Sequence, residues 1–205
     1  EVPGAGCCGA MSHHFAATDE ARAMMRNNID AWWPHIENGA EAILITASGC
    51  GAFVKEYGKL LADDPQYREK AARVAALARD PAEVLQQENL EALGIDGNGR
   101  KVAYHPPCTL QHGQQLPEIV ESILSRLGYR LTPVQDKHLC CGSAGTYSIT
   151  QPELATRLRD NKLDALTAGR PEIITTANVG CQLHLQTGSS QTIRHWIDLL
   201  DPPTA

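Results

Sequence analysis

The chain has 205 residues, 42% hydrophobic and 20% charged, a balance that suits one large or two small folded domains and excludes extended disorder. Its formal net charge of -6 leaves no basic surface for a phosphate backbone, which excludes nucleic acid as a partner. No apolar run reaches the roughly 18 residues needed to cross a bilayer, and the opening EVPGAG has no signal-peptide pattern, so no transmembrane segment is expected and the chain is expected in the cytoplasm.

In chain order, the first landmark is Cys7-Cys8-Gly9, reached after a start that reads as the middle of a domain. A helix follows this motif, and Trp32-Trp33 is expected to pack in a core or against a missing segment. Ser48-Gly49-Cys50 comes next. Residues 64–93 read as two helices, because Asp64-Pro65 and Asp80-Pro81 each set a cap before a first-turn proline and Gly94 supplies a stop. After the flexible turn at 96–99, Lys101-Val102-Ala103-Tyr104 forms a strand that runs into Pro106-Pro107-Cys108. Pro117 opens a helix with Ile119, Ile123 and Leu127 on one stripe and Gly128 at its end. Residues 129–134 read as a second strand, ending just before Cys140-Cys141-Gly142. Thr150 and Glu153 have capping-box spacing for a helix that buries Leu154 and Leu158. Ile173 and Ile174 lie in a third strand, whose end carries Gly180-Cys181.

The order of these landmarks repeats. Cys7-Cys8-Gly9 recurs 133 positions later as Cys140-Cys141-Gly142, and at the same offset Met25-Arg26-Asn27-Asn28 lies against Leu158-Arg159-Asp160-Asn161. After a two-residue deletion, the block ending at Cys50 falls on the block ending at Cys181. Three blocks in order indicate a duplication. The expected fold class is α/β: two pseudo-repeated cysteine-rich units with mainly parallel strands, the first truncated at its N-terminus. The expected divisions are 1–63 for the incomplete first repeat, 64–99 for a helical linker and 100–205 for the complete second repeat. In the first repeat the counterpart of Cys108 would fall before residue 1, so its first strand and helix are expected to be missing.

Seven cysteines are an odd number, and nothing marks an oxidising compartment, so metal or redox chemistry is the natural use. Ligand sites in parallel α/β layers lie beyond the carboxyl ends of strands. Cys108, Cys140, Cys141 and Cys181 each follow such an end, and the topology would gather them. Four thiolates can hold a cubane [4Fe–4S] cluster or a tetrahedral zinc ion. Neighbouring Cα atoms about 3.8 Å apart are too close for an ordinary disulfide, so the vicinal pairs suit a shared centre. Cys7, Cys8 and Cys50 form a three-donor set, with small buried hydrophobes as the alternative reading. His184, three residues after Cys181, is a ligand or a cap of the site. His105, His112 and His138 flank Cys108 and Cys140 and could hydrogen-bond to sulphur. Arg26 and Arg159 are expected to make ion pairs as solvated helix residues. His13 and His14 have no histidine counterparts in the second repeat. There is no GxSxG, Walker A loop or HExxH motif.

Seven motifs carry a family resemblance: AGCCGA at 5–10, NNIDAWWP at 27–34, TASGCGAFVKEYG at 46–58, CTLQHG at 108–113, HLCCGSAGTY at 138–147, LRDNK at 158–162 and GCQLHL at 180–185. They resemble the cysteine-rich CCG domain family found in heterodisulfide reductases and in the C-terminal half of glycolate oxidase iron–sulphur subunits. The resemblance implies an iron–sulphur cluster of the 4Fe–4S kind and an electron relay that is not catalytic alone. It also implies a ferredoxin-like region outside this chain, FAD on flavin-containing catalytic partner subunits, and a small 2-hydroxy acid such as glycolate handled by the complex. Attachment would be peripheral, at the inner membrane through those partners. Where heterodisulfide reductase relatives place a fifth cysteine, this chain has Phe53 and His184. Within the same resemblance stand a zinc-stapled docking module and an oxidoreductase of the lactate-utilisation type. Thiol–disulfide chemistry on a small substrate is a further alternative.

Overall fold

In the computed structural model, which describes residues 2–201, short strands alternate with helices and every strand pairing is parallel. The chain divides after Pro81 into two units. The expected α/β class with parallel strands is what the pairings give.

The first unit contains α1 (Ala10–His14), α2 (Thr18–Glu37), β1 (Ile43–Leu44), α3 (Ser48–Val54), α4 (Tyr57–Leu60), α5 (Arg68–Leu77) and β2 (Ala78–Arg79). β1 and β2 pair through Ile43–Ala78 and Leu44–Arg79. Apolar side chains recur on one stripe of each long helix, so Ala21, Met25 and Ile29 of α2 bury against Ala71 and Val74 of α5, with Phe53, Val54, Tyr57 and Leu61 in the same core. Trp32 packs on this core, its ring stacked on Tyr57 at a centroid distance of 6.5 Å. Asp64 caps the turn before α5 by accepting from the backbone N–H groups of Gln66 and Tyr67.

In the second unit, α6 (Pro81–Leu85) lies at the boundary, followed by β3 (Lys101–His105), α7 (Ile119–Arg126), β4 (Arg130–Leu131), α8 (Tyr147–Thr150), α9 (Pro152–Thr167), β5 (Ile173–Thr176), α10 (Val179–Gln186) and β6 (Ile193–His195). The four strands form one sheet in the order β4-β3-β5-β6. Successive side chains of a strand point to opposite faces, and the core divides accordingly. Val102 and Tyr104 pack with Ile119, Val120, Ile123 and Leu124 of α7, together with Trp196. Ala103 and Ile174 pack on the other side with Leu163 and Leu166 of α9 and Leu185 of α10. Both faces of the sheet are thus covered, as parallel sheets require.

Several local readings change. Residues 64–99, expected as a linker, divide between the units: α5 buries Ala71 and Val74 in the first core, while Ala82 and Leu90 belong to a core of the second. The strand expected over 129–134 is β4 alone; Thr132 still donates to the Val102 carbonyl at 2.9 Å, but Pro133 has no N–H to continue the ladder. The capping box does not form, because Thr150 closes α8 and Gln151, with no side-chain cap bond, precedes α9. Leu154 is consequently exposed, and α9 buries Ala155, Lys162, Leu163 and Leu166.

The repeat register also shifts along the long helices. A Cβ on Gly9 would meet the Ala21 carbonyl and Met24, while one on Gly142 would meet the Ala155 carbonyl and Leu158. Those contacts pair α2 with α9 at an offset of 134, one more than the sequence blocks suggest. The buried pair Asn28-Ile29 then falls on the buried pair Lys162-Leu163.

Leu166→Ala removes a fully buried side chain that ties α9 to the sheet. It is expected to lower the unfolding free energy by about 2–5 kcal/mol, measured by urea denaturation.

Candidate metal centre

The chain leaves β3 for β4 on one side and later returns as β5 on the other, so the sheet has a switch point between β3 and β5. A crevice opens beyond the carboxyl ends of two such strands, because their connections depart in opposite directions. Four pairs from Val102–Ile173 to His105–Thr176 bring those ends level.

Each of the two strand ends leads to donors. β3 ends at His105, and after Pro106-Pro107 comes Cys108, followed by a single π-helical turn at Thr109–Gly113. β5 ends at Thr176, and Cys181 sits in the first turn of α10. The long connection from β4 supplies Cys140 and Cys141. Gly142 holds that connection against α9 at φ +92, where an added Cβ would lie 2.4 Å from the Ala155 carbonyl oxygen. Only glycine fits both the left-handed backbone and the close approach.

The four predicted sulphurs meet in sequence, Cys108 with Cys140, Cys140 with Cys141, and Cys141 with Cys181. Hydrogen bonding from the Cys108 thiol, and then from Cys141, pulls the Cys140 thiol down to about 2. The bond from Cys141 holds Cys181 well below the ordinary thiol range, assisted by His105 and Asn178. Cys108, which donates to Cys140, and Cys141, whose one proton is shared between Cys140 and Cys181, are pushed up. Depressed and raised thiols therefore alternate along the chain of sulphurs. The Gly142 N–H donates to Cys140 Sγ at 3.3 Å and Asn178 Nδ2 to Cys181 Sγ at 3.5 Å.

His105 lies deepest, at 1% exposure, and a ring nitrogen sits within 4.8 Å of the Cys141 and Cys181 sulphurs. Neither ring nitrogen has a hydrogen-bond partner of good geometry among the described residues, a costly state for buried polar atoms. A buried imidazole beside two buried sulphurs, one of which it already meets, suits a bound cation or cluster. The donor set therefore fits the metal chemistry expected of it.

The other histidines lie apart from this group. His184 Nε2 is 3.2 Å from the Ala155 carbonyl oxygen and abuts Gly142, so it ties α10 to α9. His138 and His112 are exposed. Arg26 pairs with Asp64 at 2.6 Å and Arg159 with Asp160 at 2.8 Å, the ion-pair role expected of both.

The first unit is built differently. Cys8 meets Cys50, as Cys141 meets Cys181, and the bond from Cys50 lowers the Cys8 thiol to about 6 while Cys50 is pushed up. Cys7 is exposed. The loop is fixed by protein groups: Asn28 accepts from the Gly6 N–H at 2.7 Å and donates to the Cys7 carbonyl at 2.9 Å, and the Tyr57 hydroxyl donates to the Cys8 carbonyl at 2.7 Å. His13 and His14 pack their rings near Phe53, at centroid distances of 5.3 and 6.2 Å. Asn28, Asn178 and Lys162 escaped the sequence reading. Polar residues in long helices or before a turn carry no mark of burial, and only the corrected repeat offset could have paired Asn28 with Lys162.

A family model, the cysteine-rich CCG domain, matches residues 1–55 and 102–186. The chain is 58% identical over 197 residues to the glycolate oxidase iron–sulfur subunit of Escherichia coli (strain K12), covering 96% of this chain and 48% of that protein. It is 30% identical to the probable glycolate oxidase iron–sulfur subunit of Bacillus subtilis (strain 168), covering 91% of this chain and 42% of the relative. A more distant relative is lactate utilization protein A of Shouchella clausii (strain KSM-K16), 23% identical over 95% of this chain and 82% of its own length. The chain thus spans about half the length of the glycolate oxidase relatives it matches.

A depressed thiol stays ionised in acid, so in metal-free chain Cys140 is expected to react with iodoacetamide at pH 5 almost as fast as at pH 8. An ordinary thiol near 8.5 would slow about a thousandfold over that interval. Peptide mass spectrometry of timed reactions reads the difference. In the first unit, Tyr57→Phe deletes the bond to the Cys8 carbonyl and is expected to cost about 1–2 kcal/mol in urea unfolding.

Proposed function

The chain belongs to the cysteine-rich CCG domain family, and on that premise we propose that it is an electron-transfer part of a flavin-dependent complex oxidising glycolate or a related small 2-hydroxy acid. Its second unit would hold an iron–sulphur centre of the 4Fe–4S kind. The observation that carries this reading is the convergence of Cys108, Cys140, Cys141 and Cys181 beside the buried His105 at the sheet's switch point. The similarity to subunits named for glycolate oxidase and iron–sulfur supports the substrate class and the cofactor.

When bound, such a centre supplies one-electron transfer. The residues prepare for it. Cys140 and Cys181 have depressed thiols that ionise readily, while Cys108 and Cys141 release their Sγ protons on becoming donors. The Gly142 N–H and Asn178 amide donate to sulphur and offset its negative charge. His105 serves as a further donor or hydrogen-bonds to a bound sulphur. Burial of Cys141 and Cys181, at 1% and 4% exposure, keeps water from the inner side of the centre.

The hydride chemistry belongs to FAD on a flavin-containing partner subunit, and a ferredoxin-like region completes the relay. The complex is cytoplasmic, held peripherally at the inner membrane by its partners. The first unit, with Cys7, Cys8 and Cys50 as its donors, is a scaffold in this arrangement. A second reading is a zinc-stapled docking module, favoured by the compact trio of His105, Cys141 and Cys181, which with one further thiol would close a tetrahedral site.

Anaerobic purification followed by iron, labile sulphide and zinc analysis with EPR tests both. Iron and sulphide are expected on the wild type and on His184→Ala, with loss of the cluster in Cys181→Ser and Cys108→Ser. Stoichiometric zinc without iron would establish the docking module, and a metal-free protein would overturn both readings.

A further inference from the structure

Lys162 stands on α9 where Asn28 stands on α2, and the two are 3% and 1% exposed. In the first unit this position holds a neutral amide bonded to the loop backbone on either side of Cys7. In the second unit the same position carries an ammonium group. Its Nζ donates to the Asp136 carbonyl at 2.8 Å, a dipole and not a carboxylate. Burying a cation without a compensating anion is strongly unfavourable, so a lysine at this depth calls for negative charge nearby.

The sulphurs are that charge. Lys162 and Cys140 line one cavity of about 390 Å³, and Leu163, the next residue, packs in the same cluster as Cys141 and Cys181. Burial lowers the lysine pKa, while the fields of Cys141, Asp136, Cys140 and Cys181 oppose that shift. Asp136 and Asp164 also line the cavity; both are exposed, and Asp136 adds to the field of the sulphurs, of which Cys141 contributes most.

We propose that Lys162 is the fixed positive counter-charge of the thiolate centre, a positioning residue that acts through its field and sets the centre's preference for the more negative state. This rests on the function proposed above. One electron entering the centre from a reductant adds one negative charge, breaks no bond and needs no proton. A neighbouring cation in a poorly solvated site stabilises the product more than the reactant, so Lys162 raises the midpoint potential. The neutral Asn28 gives the first unit no such bias.

The test uses the full chain, purified anaerobically as wild type, Lys162→Met and Lys162→Arg. Iron and sulphide are assayed first, so failure of the parent reading shows in the wild type alone. In an EPR-monitored titration with dithionite, Lys162→Met is expected to lose about tenfold in the one-electron reduction equilibrium, a fall of about 59 mV, with Lys162→Arg close to wild type. An unchanged potential in a Lys162→Met protein carrying wild-type iron and sulphide overturns the proposal. If the centre holds zinc instead, no electron enters it, and the proposal falls together with the redox reading it rests on. If Lys162→Met retains no metal, thermal melting of the metal-free proteins decides: the depressed thiols of Cys140 and Cys181 remain beside the lysine, so a counter-charge lowers the melting temperature of Lys162→Met and leaves Lys162→Arg close to wild type, whereas equal melting of all three proteins overturns the role.

Discussion

Parallel pairing of β3 with β5 is the constraint on which the rest of the second unit depends. Parallel neighbours cannot be joined by a tight turn, so the chain must travel over the faces of the sheet between them. It does so through α7, β4, α8 and α9, and that detour carries Cys140 and Cys141 to the edge where β3 and β5 end. Residues separated by 73 positions, Cys108 and Cys181, become part of one group because two strand ends are level.

Within that edge, close packing converts proximity into chemistry. Gly142 lets the loop touch the start of α9, and His184 reaches the same Ala155 carbonyl region from α10. The loop is thereby held between two helices with its sulphurs turned inward. Four thiols so placed cannot titrate independently. Each proton shared with a neighbour strengthens one thiolate and suppresses the next ionisation, which gives the alternation of depressed and raised thiols. A cation or cluster relieves the competition by displacing the protons that remain.

Duplication supplied two such loops, and they have taken different solutions. In the first unit, Asn28 and Tyr57 hold the loop with neutral hydrogen bonds, and Phe53 occupies the position of His184. In the second, the equivalent helix position is a buried cation, and the protein offers more sulphur than it can satisfy with its own donors. The contact between the second cysteine of the pair and the later cysteine survives in both, Cys8 with Cys50 and Cys141 with Cys181.

By itself the sequence determined the repeat, the alternation of strand and helix, and the cysteines that belong together, because these are matters of spacing and residue type. Gly128 and Asp64 act at the ends read for them, since turn and cap chemistry is local. The tertiary structure alone decided which polar residues are buried. It placed His105 beside Cys181 and sent His184 to a backbone carbonyl, although both stand a few residues from a cysteine. It also moved the helix register by one residue, which makes Lys162 the equivalent of the buried Asn28. The reason is physical: spacing along a helix says which residues share a face, but what that face meets depends on where the next segment packs.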